Sequence, residues 1–450
     1  MVKVLVIGGV AAGTTAASQA KRSKPDVDVT LVQEESHVSY GSCGMPYVFE
    51  KLVPSFDDLI VRSANEFKEK YGIKVFTNTK AIKISPPEKK VTCINTQTNE
   101  ELVFEYDKLI IATGARSIQP PIKGIDQKNV FSLRTLTDGK NLYKSIPNAK
   151  SCVIIGAGLV GLEMAEAFKN QGLDVTVIEM DTRILSRMVN ENLSEIVSNH
   201  IVQKGVVLKL DEQVMEISTD KEDQKIVTTK NFTIKTDFVL VGVGVRPNSE
   251  LAQEAGIDQG IAKAIKVDSK MRTNLADIYA VGDCATARNY VTDKDSYLPL
   301  GTTANKQGRI AGRNCVENDL YSFEGIAASA ITKVFDLLVG STGLSLKDAQ
   351  NEDFEAVENM IEGHTRAKYY PDGKKIWINL VADKSTHRIL GAQIVGEEFV
   401  KGRIDQIALA LFLKAKVEDL IHYDWCYVPP VSPVIDPLNI AASQLEKKLN

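Results

Sequence analysis

The stretch SCVIIGAGLVGLEMAEAFKNQGLDVTVIEMD, Ser151 to Asp181, decides the fold. An apolar strand runs into Gly156, Gly158 and Gly161 in GxGxxG register, a helix follows, and a second strand ends at Glu179. Glycine lets the backbone approach a pyrophosphate closely, and the helix N-terminus presents free N–H groups to it. An acidic residue at the end of the second strand accepts ribose hydroxyls. No arginine directly follows Glu179, so the unphosphorylated ribose of NADH is favoured, while Arg183 is near enough to leave NADPH within reach.

Toward the N-terminus, VKVLVIGGVAAGTTAASQAKRSKPDVDVTLVQEE repeats the pattern more loosely. Gly8, Gly9, Ala12 and Gly13 form its turn, Val10 stands where the second glycine belongs, and either Gln33 or Glu34 can meet the ribose. Alone, this is equally a glycine turn of some other α/β fold; the cleaner second copy weakens that reading. Two units in one chain imply two dinucleotides facing each other. Downstream, YDKLIIATGARS carries Ala112, Thr113 and Gly114 after a strand, and TNLADIYAVGDCA ends in Gly282 and Asp283. Asp283 reads equally as a hydrogen-bond acceptor for a cofactor's ribityl hydroxyl or as a helix cap or turn residue.

Composition sets outer limits. A chain of 450 residues implies two to four domains, and 44% hydrophobic with 25% charged residues is ordinary for a globular protein. Net charge is −4 with the basic residues dispersed, which excludes a nucleic-acid footprint. The opening MVKVLVIGG begins a strand at once, without a secretory leader. Apolar runs such as FVLVGVGV are far shorter than the roughly 20 residues of a membrane span, so a cytoplasmic protein with no membrane contact is expected. Six cysteines without a CxxC pair argue against a disulfide framework and against any metal site.

One of them, Cys43, lies in SYGSCGMPY (Ser39–Tyr47), close behind the first dinucleotide unit. A cysteine does redox work as its thiolate, and the helix start expected in GMPYVFEKL would favour a negative sulfur. Cys93, Cys152, Cys284 and Cys315 read as core, and Cys426 as a small residue packed in an interface. IDQIALALFLKAKVEDLI (404–421) reads as one core or dimer-packing helix, with His422 suiting the dipole at a helix end.

Taken in order, the two glycine units, ATGA, IYAVGDCA and the lone thiol resemble the FAD-dependent pyridine nucleotide-disulfide oxidoreductases over essentially the whole chain. Val48 stands where two-cysteine members have a second cysteine, so no intramolecular disulfide forms there. SxxxCGxPY, together with DWCYVPPVSPVIDP (424–437), is similar to the coenzyme A disulfide reductase branch, which includes NADH oxidases and sulfur reductases. The resemblance implies an α/β fold with two Rossmann-like domains, for FAD and NADH, plus a C-terminal α+β dimerisation domain. It places the FAD domain at about 1–115 and 245–325, the NAD(P)H domain at about 116–244 and the dimerisation domain at about 326–450.

The same resemblance implies a homodimeric enzyme with active sites shared across the interface. NAD(P)H would reduce FAD, and Cys43 would pass electrons to coenzyme A disulfide or to a related disulfide, persulfide or polysulfide. Tyr427 and Tyr369, or else Tyr370, would assist the leaving thiolate. Thr15, Gln19, Arg22 and Ser39 would line the substrate channel, with Ser42 and Asn305 at positions where relatives often differ. The alternatives are an NADH oxidase cycling Cys43 through a sulfenic acid and reducing oxygen to water or peroxide, and an NADH-binding signalling flavoprotein with little turnover.

Overall fold

The computed structural model describes residues 1–449. Its first sheet is parallel, with strands in the order Ile278–Ala280, Lys108–Ile111, Lys3–Ile7, Asp28–Val32 and Lys74–Phe76. Val4, Leu5, Val6, Leu109, Ile110 and Ile111 are all buried. Such continuous apolar runs are what a sheet covered on both faces requires. The helix Ala11–Ser23 crosses from the first strand to the second, and Ile7 pairs in register with both Val32 and Ile111.

The second unit repeats this plan. Val207–Lys209, Asp174–Ile178, Ser151–Ile155, Phe238–Val241 and Val130–Phe131 form another parallel sheet, crossed by the helix Leu159–Asn170. In each unit a three-stranded antiparallel meander, Thr79–Glu105 or Val214–Thr236, precedes the strand that returns beside the central one. The strand order therefore reverses beside Lys3–Ile7 and Ser151–Ile155. Crevices open at the carboxyl ends of strands at such points, and both glycine turns sit there. The chain leaves and re-enters the first unit through an antiparallel ribbon, Ala115–Ser117 with Val245–Pro247.

The C-terminal unit is an antiparallel sheet in the order Ala330–Val334, Leu337–Gly343, Ile389–Gly396, Lys375–Asp383 and Ala356–His364, with helices including Val400–Phe412 and Pro437–Leu449 packed on it. The tip of its first hairpin plugs into the second unit, where Val334, Phe335 and Leu337 join the buried core. Deep in this unit, Arg403 holds Asp436 through Nε at 3.0 Å and Nη2 at 2.5 Å. The architecture is thus the α/β pair of Rossmann-like units with a C-terminal α+β unit that the sequence implies.

One expectation fails here. The continuous helix over 404–421 is two helices, Val400–Phe412 and Val417–His422, because Lys414 adopts a left-handed conformation (φ 55°) and the Ala415 N–H turns back to the Ala410 carbonyl. His422 does end the second helix. No helix of the described residues is long and apolar enough to cross a membrane.

Candidate active site

Both glycine turns are cradles built on the same contacts. A Cβ at Gly13 would lie 1.8 Å from the Gly8 carbonyl oxygen, and one at Gly161 would lie 2.0 Å from that of Gly156. Only glycine lets each helix start so close to its strand. At Gly158 a Cβ would meet nothing within 4 Å, so that side of the turn is open. The helices Ala11–Ser23 and Leu159–Asn170 begin with no side-chain cap and no acidic residue in the first turn. By contrast, Ser63, Thr135, Asn190 and Ser345 close the helices that follow them. Uncapped N–H groups above a close-packed glycine turn fit a pyrophosphate, so both cradles suit a dinucleotide.

The ends of the second strands correspond as well. Glu179 accepts the Ala157 N–H at 2.6 Å and the Asp181 N–H at 2.9 Å. Gln33 accepts the Gly9 N–H at 2.7 Å and is buried. Gln33 is therefore the counterpart of Glu179, with a neutral amide in place of a carboxylate. Glu34 points outward to an ion pair with Lys80 at 2.9 Å and lies outside the cradle. Gly9 packs its Cα face against Val38 and Leu31, while Ala12 meets Gly282.

Gly282 and Asp283 sit in a short 3-10 turn across from the first cradle. Asp283 lies inside the turn, in keeping with its reading as a turn residue, though the turn has no side-chain cap, and its carboxylate takes Arg134 Nη2 at 2.6 Å. Arg134 also donates to the Ala115 carbonyl, and Tyr297 donates its hydroxyl to the Asp283 carbonyl at 2.9 Å. Thr113 and Gly114 complete this wall, with the Thr113 hydroxyl on the Asn248 carbonyl and Gly114 at φ 69°, beside Ala112 whose N–H bonds the Ile7 carbonyl.

A second helix, Gly301–Asn314, lies along Ala11–Ser23, because Gly308 and Gly312 leave room for the Ala12 and Ala16 carbonyls. Its Gln307, fully buried, accepts the Gly282 N–H and donates to the Thr286 carbonyl, both at 2.8 Å. Sequence reasoning missed Arg134 and Gln307. Their partners lie 149 and 25 residues away, and only Gln307 left a trace, as a polar residue beside the glycines that let the two helices approach. On the outer face of the helix pair, Thr15 donates to Asn305 at 2.8 Å. Gln19 and Arg22 continue the same helix face at i+4 and i+7, and Arg22 is exposed.

Cys43 is exposed, at the centre of a 3-10 turn Ser42–Gly44 that leads straight into the five-residue helix Met45–Phe49. The turn is clamped on both sides. Ser39, at φ 52°, donates its N–H to the Gly9 carbonyl and accepts the Val61 N–H at 2.7 Å; the Gly41 N–H bonds the Leu59 carbonyl. A Cβ at Gly44 would strike Leu59 at 2.5 Å. Hydrogen bonds thus link the turn carrying Ser39, Ser42 and Cys43 to the first glycine turn, and separately link Thr15 to Asn305.

All six cysteines are free. Burial pushes the thiols of Cys93 and Cys315 up to about 12 and those of Cys152 and Cys284 upward too, which keeps them protonated and inert. Cys426 is exposed in the single chain. In the C-terminal unit the hydroxyls of Tyr369 and Tyr427 meet at 3.0 Å. Tyr370 instead bonds through its backbone to Ala367. The hydrogen bond to Tyr369 raises the pKa of Tyr427 above the ordinary phenol value, which extends the protonated form further into alkaline pH.

Comparison with known proteins agrees with this geometry. The family model for pyridine nucleotide-disulphide oxidoreductases matches residues 2–308, and that for the family's dimerisation domain matches residues 329–438. An NADH oxidase of Methanocaldococcus jannaschii is 37% identical over 450 residues, covering 100% of this chain and 99% of the relative. An NAD(P)H coenzyme A polysulfide/persulfide reductase of Pyrococcus horikoshii is 36% identical, covering 99% and 98%. Among solved structures, an NAD-dependent persulfide reductase from A. fulgidus superposes with a TM-score of 0.96 at 37% identity, covering 99% of this chain and 83% of that one. The chain is an enzyme of the pyridine nucleotide-disulphide oxidoreductase family, whose members use FAD and NAD(P)H.

Proposed function

We propose that this enzyme uses NAD(P)H to reduce coenzyme A disulfide, or a related low-molecular-weight disulfide, persulfide or polysulfide, through Cys43 alone. The carrying observation is that Cys43 is an exposed free thiol on a clamped turn beside the first glycine cradle, with buried Val48 where a resolving cysteine would stand. FAD held in that cradle would supply the two-electron relay between nicotinamide and sulfur. The Cys43 thiolate attacks the disulfide, forms the mixed disulfide Cys43–S–S–CoA and releases one coenzyme A thiolate. Two electrons from one NAD(P)H then break the mixed disulfide, returning Cys43 and releasing the second coenzyme A. Tyr427, held by Tyr369, donates a hydrogen bond to the departing thiolate, from the partner subunit of a homodimer.

In this reading Gly8, Gly9, Ala12, Gly13, Gln33, Ala112, Thr113, Gly114, Gly282 and Asp283 hold FAD, and Gly156, Gly158, Gly161 and Glu179 hold the nicotinamide dinucleotide. Thr15, Gln19, Arg22, Ser39, Ser42 and Asn305 line the coenzyme A channel. The FAD domain spans about 1–115 and 245–325 around a nucleotide domain of about 116–244, a division supported by the paired strands Ala115–Ser117 and Val245–Pro247.

The NADH oxidase of Methanocaldococcus jannaschii supports a second reading, in which one NADH reduces oxygen to hydrogen peroxide, the Cys43 thiolate takes one peroxide oxygen as a sulfenic acid and releases hydroxide, and a second NADH returns it to the thiolate with loss of water. NADH and NADPH consumption against coenzyme A disulfide, polysulfide and oxygen in parallel separates the two. Faster turnover with the disulfide than with oxygen supports the first; turnover with oxygen alone overturns it.

A further inference from the structure

A cavity of about 290 Å³ lies between the hairpin carrying Ala287–Asn289 and Lys294–Ser296 and the C-terminal unit. Its size sits at the lower end of small-molecule sites, roughly 300–1,000 Å³. Tyr290 and Phe412 form one wall, edge to face with ring centroids 5.6 Å apart. Arg388 forms another. Its Nε is buried with no hydrogen-bond partner, and its Nη2 reaches only the Tyr290 carbonyl, at 3.4 Å. Asp383, the carboxylate that bears on it electrostatically, is occupied by Ser385 and Thr386.

The other charges on the lining divide simply. Arg288 is paired with Asp293, whereas Lys414 and Glu324 have no salt bridge among the described residues. A partly desolvated guanidinium without an anion is costly, and unpaired buried donors in native proteins ordinarily meet a ligand or water. Burial also works against the charged form of Arg388. The planar fork of arginine matches the paired oxygens of an oxyanion, and a lysine beside it suits a doubly charged one.

We propose that this cavity binds a small phosphate, free or esterified to a compact alcohol, with the phosphate on Arg388 and Lys414 and a hydroxyl on Glu324. The hairpin leads directly to Tyr297, whose hydroxyl holds the Asp283 carbonyl. An occupant would therefore brace the segment that carries Asp283, outside the reaction itself.

Isothermal titration of the full-length, flavin-loaded enzyme with inorganic phosphate and, separately, with glycerol 3-phosphate tests this. Saturable binding of one equivalent is expected, weakened on the order of tenfold in Arg388→Gln and by a smaller factor in Lys414→Ala. Tighter binding of glycerol 3-phosphate assigns the site to an ester, and equal or weaker binding to free phosphate. No saturable binding of either probe overturns the proposal. So does unchanged affinity in Lys414→Ala, a surface substitution that decides the matter even where Arg388→Gln fails to fold.

Discussion

Substituting Gly161→Ala inserts one methyl group where the second cradle is tightest. The new Cβ would lie 2.0 Å from the Gly156 carbonyl oxygen and 3.5 Å from the Ile154 side chain. The first distance is about 1.4 Å short of ordinary contact at 3.4 Å, and backbone on both sides leaves no flexible group to yield. The helix Leu159–Asn170 must move away from the strand Ser151–Ile155, displacing the free N–H groups that would hold the pyrophosphate. Overpacking of this kind costs about 1–3 kcal/mol, and misplaced donors weaken binding further. The KM for NADH should therefore rise by roughly 10- to 100-fold while flavin content stays at one per chain. Gly13→Ala makes the equivalent clash in the first cradle, 1.8 Å from the Gly8 oxygen, and should instead release the flavin. The assay is steady-state kinetics beside the visible flavin spectrum of the purified variants. Flavin loss from Gly161→Ala with NADH affinity retained, or the reverse in Gly13→Ala, would refute the assignment of the two cradles.

Other outcomes follow from the same geometry. Glu179→Gln keeps an acceptor for the Ala157 N–H but removes the charge that opposes a 2′-phosphate, so the preference for NADH over NADPH should shrink by about tenfold in kcat/KM. Tyr369→Phe removes the hydrogen bond that raises the Tyr427 pKa; the phenol then ionises at lower pH, and the alkaline fall in disulfide turnover should begin earlier, whereas Tyr370→Phe should leave the pH profile unchanged. An unshifted profile in Tyr369→Phe removes Tyr427 from the proton-donor role. Asp436→Asn leaves the buried Arg403 guanidinium uncompensated, which should cost about 3–5 kcal/mol in denaturant unfolding, against well under 1 kcal/mol for the exposed pair broken by Lys80→Gln.

The parallel units were legible because their signals are local. A glycine turn, its helix and the next strand lie within some thirty residues, and short β-branched apolar runs such as VLVI and CVII, each ending at a glycine turn, read as covered strands. The order of motifs then carried the C-terminal unit and the lone thiol. What stayed hidden depends on direction or distance. Gln33 and Glu34 are adjacent, and only the strand's end at Val32 determines that the first turns into the cradle and the second out to Lys80. Arg134 meets Asp283 across 149 residues, so nothing near either announces the pair. Tyr369 and Tyr370 are indistinguishable by type, and the turn of the chain alone brings the first to Tyr427. The apolar pattern over 404–421 is continuous, yet left-handed Lys414 breaks the helix, a backbone event that hydrophobic periodicity does not record.

The most direct measurement is NADH-driven reduction of coenzyme A disulfide by flavin-loaded Cys43→Ser, with intact-mass analysis of the unreduced native enzyme alongside. Turnover should fall by about a thousandfold or more, since hydroxyl oxygen cannot form the mixed disulfide, and the native protein should carry any coenzyme A adduct at Cys43. Undiminished turnover in the serine variant, or an adduct confined to Cys426, would contradict the single-thiol account.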